Sequence, residues 1–313
     1  MEKKHKKYEQ LIEMCKGLPP APTAVVHPCD ESSLAGALDA ARLDLIAPIL
    51  VGPAARIRAL AASLGLDVSP YHIVDVPHSH ASAQKAVEVV RMGQAEALMK
   101  GSLHTDELMT EVVARDTGLR TARRISHCFI MDVPGHADTL IITDAAVNIL
   151  PTLEEKVDIV QNAIDLAHAI GIVEARVAIL SATESVSPKV PSTIEAAALC
   201  KMADRGQITG AILDGPLALD NAISLDAARV KKIDSPVAGR ANILVVPDLE
   251  AGNMLAKSLT FLAGADSAGI VLGARVPIIL TSRADSVLAR LASCAVAVLV
   301  AKARRDQAAR AVS

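Results

Sequence analysis

The sequence predicts an α/β fold with parallel sheets covered by helices on both faces, and two observations carry this prediction. Apolar segments alternate with amphipathic segments almost from end to end, an order typical of βαβ units. The apolar segments, such as "LIAPILVG", are nearly continuous, as in strands that are buried on both faces. With 313 residues, the chain can form one large domain or two modest ones.

The first series of alternating elements begins with the β-branched segment "TAVVHP". The helical segment "DESSLAGALDAARL" follows, and Asp30 is expected to be its N-cap. "LIAPILVG", "PAARIRALAASLG", "YHIVDVP", "SAQKAVEVVRMG" and "EALMKG" continue the alternation as strand, helix, strand, helix and strand. This series predicts a first α/β subdomain over residues 1–149.

The alternation is interrupted between Arg123 and Thr143, where "RISHCFIMDV" and "DTLIITD" flank a "PGHA" segment typical of a turn or short hairpin. A long helix follows, with Pro151 near its first turn and Gly171 after its end. The alternation then restarts and ends with a last helix from about Ala284. We place a subdomain boundary near residue 150, without a flexible linker, and expect two rigidly packed halves.

Composition narrows the possible functions. A net charge of −3 gives no reason to expect a nucleic acid or a membrane surface as partner. Trp is absent and there are two Tyr and two Phe, which argues for an aliphatic core and against base stacking. The five cysteines are widely spaced without a CxxC, a pattern typical of reduced thiols rather than of disulfides or zinc ligands. No segment has signal-peptide or membrane-spanning character, so we expect a soluble cytoplasmic protein.

Several common catalytic motifs are missing from the sequence. It has no GxGxxG after the first strand, no Walker A loop, no HExxH and no GxSxG. Simple dinucleotide, nucleotide-hydrolase, zinc-peptidase and α/β-hydrolase functions are therefore disfavoured. Chemistry is expected from polar clusters at strand ends, where open α/β sheets bind ligands.

Two such clusters lie in the first half. "MKGSLHTDEL" places Lys100 at a strand end and His104 and Thr105 at a helix start, where free N–H groups suit an anion. An ordinary strand-to-helix turn capped by Thr105 explains this segment equally well. "LRTARRISH" brings Arg123 and Arg124 close to a strand, and guanidinium groups suit phosphates, although a solvated basic turn is the alternative.

Two further clusters lie in the second half. In "PDLEAGNMLAK", Asp248 is expected to cap a helix, but capping does not explain Gly252 and Asn253. Glycine near a helix start costs up to about 1 kcal/mol relative to alanine, so a ligand or partner strand is expected to approach closely there. In "TSRADS", Ser282 either caps the last helix or, with Arg283, holds an oxyanion that develops during acyl transfer.

The chain resembles the phosphate acetyltransferase and phosphate butyryltransferase family. The resemblance lies in "KGSLHT", "LRTARRISHCFIMDVP", "PTLEEKVDIVQNAIDLAHAIGI", "DGPL", "SPVAGRA" and "PDLEAGNMLAKSLTFLAGADSAGIVLGARVPIILTSRADS", in the family's order. It implies reversible transfer of a short acyl group, acetyl or butyryl, between coenzyme A and inorganic phosphate. It also implies that no metal or cofactor is needed, coenzyme A being a substrate, and that the protein is a homodimer.

The resemblance implies roles for individual residues. Ser282 would bind the thioester or acyl-phosphate oxygen, and Arg283 would neutralise phosphate and developing negative charge. Acetyl-specific members carry an aspartate where Ala289 stands here, so the base that deprotonates the thiol is open, with Asp285 as the nearest substitute. The phosphate and coenzyme A ligands would be Lys100, His104, Thr105, Arg123, Arg124 and Asn253.

The resemblance also implies an isocitrate/isopropylmalate dehydrogenase-like architecture of two α/β subdomains with a cleft between them. The last helix would return to the first subdomain, giving 1–149 with 284–313, and 150–283. Two other functions remain open at this point. A metal-dependent decarboxylating dehydrogenase would need convergent carboxylates, for which Asp214, Asp220 and Asp248 are candidates. A non-catalytic acyl-CoA-binding domain is the other, and the intact Ser282-Arg283 pair argues against it.

Overall fold

The fold is mixed α/β, as the alternating pattern predicts, and the computed structural model describes residues 6–281 and 285–312. The strands are β1 (Ala21–Val26), β2 (Ile46–Gly52), β3 (His72–Asp75), β4 (Ala97–Lys100), β5 (Ser126–Asp132), β6 (Leu140–Thr143), β7 (Ala175–Leu180), β8 (Ala211–Leu217), β9 (Ile243–Val245), β10 (Asp266–Leu272) and β11 (Ile278–Ile279). The helices are α1 (Lys6–Met14), α2 (Glu31–Arg42), α3 (Ala54–Ser63), α4 (Ser79–Arg91), α5 (Thr105–Val113), α6 (Leu153–Ala169), α7 (Pro191–Asp204), α8 (Leu219–Ile223), α9 (Leu225–Val230), α10 (Leu249–Leu262) and α11 (Val287–Val312).

The chain divides into two compact units. One consists of Lys6–Arg123 with the described residues of Ala268–Ser313, and the other is Arg124–Ser267. The sequence analysis placed the first boundary near residue 150, ahead of the long helix α6. The structure groups residues 124–149 with the second series instead, because β6 pairs in parallel with β9. Likewise, β10 pairs with β11, so most residues of β10, from Ala268 onward, belong to the unit that contains Lys6–Arg123.

In the unit that contains Lys6–Arg123, the strands follow the order β3-β2-β1-β4-β11-β10. The pairs from β3 to β11 are parallel, and the β11–β10 pair is antiparallel. α11 packs against α1 and α2, and every residue from Ala292 to Ala301 is at most 6% exposed. The helix and sheet together form an aliphatic core without tryptophan.

In Arg124–Ser267, the strands follow the order β5-β6-β9-β7-β8. β5 and β6 form the predicted hairpin, with Cys128 opposite Thr143, and the other pairs are parallel. The core of this unit is aliphatic and includes Met131, Ile142 and Leu244. Thr152 caps α6 by accepting a hydrogen bond from the Glu155 amide, so Pro151 precedes the cap rather than lying in the first turn.

The N-cap residues of the helices can be compared with those predicted from the sequence. Asp30 caps α2 and Asp248 caps α10, each accepting from a backbone N–H three residues on, as predicted. The last helix begins at Val287, and Ser286 Oγ accepts a hydrogen bond from the Ala289 amide at 3.1 Å. Ser286 therefore occupies the capping position of α11 that the sequence analysis considered for Ser282.

All five cysteines are free thiols, and only Cys200 is not fully buried. Burial raises the pKa of Cys128 and of Cys294 to about 12. Such thiols stay protonated near neutral pH and behave as small apolar side chains. Within the described ranges, none of the helices combines the length and apolar character needed to cross a membrane.

Gly252 in α10 has a packing reason. A Cβ built there would lie 2.8 Å from Val246 Cγ2, 2.9 Å from the Asp144 carbonyl oxygen and 3.0 Å from Ala145 Cβ. The absence of a side chain lets α10 approach the segment that follows β6. The sequence predicts a ligand or a partner strand near this glycine, and the neighbours are instead the chain's own Val246, Asp144 and Ala145.

We predict that Gly252→Ala destabilises the protein although alanine is the better helix former. Helix propensity alone would stabilise by up to about 1 kcal/mol, whereas forced overpacking costs about 1–3 kcal/mol. Urea unfolding measures the net change. Ser258→Ala, at an exposed position of the same helix, is the control and should leave stability unchanged or slightly higher. A Gly252→Ala protein more stable than wild type would contradict the packing argument.

Candidate active site

The site is built where β1 and β4 end side by side. Val26 pairs with Lys100, so the loops that follow the two strands leave the same edge of the sheet. The Gly101 amide donates to the Val26 carbonyl at 2.8 Å, and the Ser102 amide and hydroxyl donate to the His27 carbonyl at 3.0 and 2.9 Å. A Cβ on Gly101 would lie 2.2 Å from Val26 O, so only glycine permits this approach.

A cavity of about 820 Å³ opens above these loops within the same unit. Its size falls in the range of small-molecule sites, about 300–1,000 Å³. Five segments form its wall: the end of β1 with α2, residue Arg56 of α3, the start of α4, the β4–α5 loop with the start of α5, and the start of α11 with Asp285 before it. The polar side chains contributed by these segments are His27, Asp30, Glu31, Ser32, Asp39, Arg56, Ser79, Ser102, His104, Glu107, Asp285 and Arg290.

Two arginines are fixed at the cavity wall through backbone carbonyls. Arg56 Nη2 donates to the Cys29 carbonyl at 3.4 Å, and Arg290 Nη1 donates to the Asp285 carbonyl at 2.8 Å. Gly36 of α2 makes room for Arg290, because a Cβ there would lie 3.2 Å from Arg290 Cδ. These contacts hold guanidinium groups beside the cavity, which suits an anionic ligand.

Glu107 and His27 in the wall have shifted pKa values. The Ser79 hydroxyl bonds to Glu107 and lowers the pKa of that carboxyl, so Glu107 is ionised at neutral pH. Burial lowers the pKa of His27, and the nearby Arg56 charge lowers it further, while Glu107 and Asp30 oppose the shift. His27 is therefore neutral at pH 7.

Two predicted site residues of this unit lie in the cavity wall. They are His104 and Asp285. Lys100 ends β4, and its ammonium donates to the Gly101 carbonyl at 3.3 Å. Thr105 is the first residue of α5, and His104 rather than Thr105 is the N-cap residue. Ser282 and Arg283 lie outside the described residues.

The remaining predicted ligands, Arg123, Arg124 and Asn253, make hydrogen bonds or ion pairs with other residues of the protein. Arg123 is exposed, and its amide donates to Thr121 Oγ1 at 3.1 Å. Arg124 Nε donates to Asn148 Oδ1 at 2.8 Å, and its Nη1 lies 3.0 Å from Glu155 Oε1. Asn253 Nδ2 donates to the Ala145 carbonyl at 3.3 Å. Neither Arg124 nor Asn253 lines the cavity described above.

Two of the three carboxylates considered for a metal, Asp248 and Asp214, serve local structure. Asp248 caps α10, and Asp214 Oδ1 accepts a hydrogen bond from the Gly215 amide at 2.8 Å. In the part of the chain that the structure describes, no three His, Cys, Asp or Glu side chains are grouped as metal ligands.

Sequence reasoning missed His27, Arg56 and Arg290. His27 follows directly on β1, and Arg56 lies in the first turn of α3, which follows β2, so the rule that ligands bind at strand ends could have found both. Arg290 gave no such signal, because it lies inside a helix whose first half is otherwise apolar or small. Only the packing of α11 against α2 brings it to the cavity wall.

Comparison with known proteins gives the family. Residues 78–298 match the family model described as phosphate acetyl/butaryl transferase. The chain belongs to this family. The phosphate acetyltransferase of Rhizobium meliloti is 70% identical over 299 residues, which is 96% of this chain and 95% of that protein. The phosphate butyryltransferase of Clostridium acetobutylicum is 41% identical over 95% of this chain and 98% of that protein.

A solved structure supports the same assignment. The branched-chain phosphotransacylase from Enterococcus faecalis V583 is 31% identical, with a TM-score of 0.78, over 90% of this chain and 99% of that chain. The prediction that the chain is a phosphate acyltransferase is therefore confirmed. The dehydrogenase and non-catalytic alternatives are not favoured.

We predict that Arg124→Ala lowers stability. Asn148 is buried, and loss of the Arg124 Nε donor would leave its carbonyl oxygen without that partner. An unsatisfied buried acceptor costs about 1–3 kcal/mol. Urea or thermal unfolding measures the loss. Arg229→Ala, which removes only an exposed pair with Asp226, is the control and should change stability by less than about 0.5 kcal/mol. Equal stabilities of the two variants would contradict this role.

Proposed function

We propose that the chain catalyses reversible transfer of an acetyl group between coenzyme A and inorganic phosphate, with butyryl as a poorer acyl group. The observation that carries this preference is the 70% identity to a phosphate acetyltransferase along nearly the whole chain, against 41% to a phosphate butyryltransferase. The guanidinium groups at the cavity wall support an anionic substrate, since both coenzyme A and phosphate are anionic.

In the proposed reaction, a phosphate oxygen attacks the thioester carbonyl, and the C–S bond breaks after a tetrahedral oxyanion has formed. Ser282 would donate a hydrogen bond to that oxyanion, and Arg283 would neutralise it. Asp285, which lines the cavity beside this pair in sequence, would belong to the same catalytic segment. The proposed ligands of the phosphate groups remain Lys100, His104, Thr105, Arg123, Arg124 and Asn253.

The reaction so described needs no metal or other cofactor, because the bond changes are an acyl transfer between two nucleophiles. We also propose that the protein acts as a homodimer in the cytoplasm, where acyl-CoA is available. Sedimentation equilibrium would test the dimer.

The acyl preference is tested with a chain-length series. We predict that kcat/KM for acetyl-CoA exceeds that for butyryl-CoA by at least about tenfold, equivalent to about 1.4 kcal/mol of barrier. Release of coenzyme A thiol is measured with and without phosphate. Phosphate-independent release would indicate a hydrolase, and a butyryl preference would contradict the proposed substrate.

We predict that Ser282→Ala lowers kcat at least about tenfold, and that Arg283→Lys lowers it further. Removal of one oxyanion donor costs about 10²–10³-fold in known cases, and lysine lacks the planar fork for a two-point phosphate contact. Thermal stability of Ser282→Ala should stay near that of wild type, because Ser286 caps α11. Ser286→Ala is the matched control, with lowered stability and near-normal kcat. The reverse pattern would remove Ser282 from the mechanism.

A further inference from the structure

His27 is a nearly buried imidazole at the cavity wall, and no role has been given to it so far. It is 6% exposed and follows directly on β1, with a backbone φ of 54°. That left-handed conformation is uncommon outside glycine, although His, Asn and Asp adopt it more often than other residues. Its carbonyl accepts the hydrogen bonds from Ser102 that join the β1 and β4 loops. The position of His27 is therefore fixed by backbone contacts that do not depend on its ring.

The hydrogen bonds of Ser82 determine which ring nitrogen of His27 carries the proton. Ser82 Oγ lies 3.1 Å from His27 Nδ1 and 2.9 Å from the His78 carbonyl oxygen. A carbonyl oxygen only accepts, so the Ser82–His78 contact is a hydrogen bond only when the single hydroxyl proton of Ser82 points to His78, whose carbonyl also accepts from the Ser82 amide at 2.9 Å. Ser82 Oγ must then accept from His27, which requires a proton on Nδ1. In the neutral ring, Nε2 consequently carries the free lone pair.

The surroundings keep this ring neutral. The charged and titratable groups that face it are Arg56 of α3, Glu107 of α5, Asp30 at the start of α2 and His78 at the start of α4. Burial lowers the pKa of His27 most, and Arg56 and His78 lower it further, against the opposing effects of Glu107 and Asp30. The Ser82 contact is compatible with both protonation states, because Nδ1 donates in each.

We propose that His27 Nε2 is the general base that takes the proton from the coenzyme A thiol. The step rests on the proposed function and runs from acyl phosphate and coenzyme A to acyl-CoA and phosphate. The thiol sulfur attacks the acyl carbon while its proton moves to Nε2, so a C–S bond forms. The C–O bond to phosphate breaks, phosphate leaves with the electron pair, and the imidazolium returns the proton to it. The net products are acyl-CoA and hydrogen phosphate.

Asp285 is the other candidate base at the cavity wall, and the chemistry favours His27. A thiol has a pKa of about 8.5, whereas an ordinary aspartate has a pKa of about 3.9 and is a weak base for it. An imidazole is closer to the operating pH, where general bases are most effective. Ala289, where the resemblance implies an aspartate, is a buried position of α11 and provides no ionisable group.

The first test compares His27→Asn with Asp285→Asn. An asparagine tolerates the left-handed backbone and can donate to Ser82 from the place of Nδ1, but it has no nitrogen at the position of Nε2. We expect His27→Asn to lower kcat at least about 100-fold, since general bases contribute about 10²–10⁴-fold. KM should change by less than about threefold, and the melting temperature by only a few degrees. Asp285→Asn removes the rival carboxylate and should lower kcat by a smaller factor than His27→Asn does.

The pH profile separates a base from a merely structural residue. In wild type, kcat for acyl-CoA formation should fall as the pH drops through the pKa of His27, which lies below the ordinary 6.5. That acid limb should be absent in His27→Asn and present in Asp285→Asn. An unchanged kcat and acid limb in His27→Asn would overturn the proposal, as would loss of the limb in Asp285→Asn alone.

Chemical rescue covers the case in which His27→Asn folds poorly. Glycine also tolerates the backbone of residue 27 and leaves space for a free imidazole. Imidazole should raise kcat of His27→Gly at least about tenfold and leave wild type unaffected. A folded His27→Gly protein with no rescue and near-normal kcat would overturn the proposal. Wild-type protein without acyl transfer would instead refute the proposed function, so the two failures are distinguishable.

Discussion

The approach of the β1 and β4 loops is the constraint on which the site depends. Gly101 donates to Val26, and Ser102 donates twice to His27, so the backbones after two neighbouring strands are joined. A side chain at residue 101 would collide with Val26 O. These hydrogen bonds do not involve the imidazole rings of His27 and His104. They therefore hold both residues at one edge of the sheet independently of those side chains. The proposed role of His27 as a general base depends on this placement.

The charge pattern of the cavity follows from the same arrangement. Helices α2, α3, α5 and α11 all present their first turns or adjoining residues to it, and they carry acidic and basic side chains together. Arg56 and Arg290 are held by carbonyl oxygens, so their positive charges remain beside the cavity. Burial and Arg56 keep His27 uncharged. A wall with fixed cations and a neutral imidazole is suited to an anionic substrate that must lose a proton.

In Arg124–Ser267, the segment after β6 is organised by one buried carboxylate. Asp144 accepts hydrogen bonds from the Ala146, Val147 and Asn148 amides and from Asn148 Nδ2. Arg124 and Asn253 then bind groups of this same segment, and Gly252 lets α10 come close to it. Residues that the sequence suggests as anion ligands thus have a clear structural contribution, and their part in binding phosphate stays a prediction.

The sequence by itself determined the α/β class, the caps at Asp30 and Asp248, the β5–β6 hairpin and the family. These features depend on local periodicity, on side chains that bond to nearby amides, or on long ordered motifs, all of which are written in consecutive residues. The boundary near residue 150 depended on which strands pair, and β6 pairs with β9 across about a hundred residues of chain. Likewise, His27 and Arg290 meet at one cavity only because α11 packs on α2 and β1 lies beside β4. Contacts between distant segments leave no local pattern, so only the tertiary structure decided them.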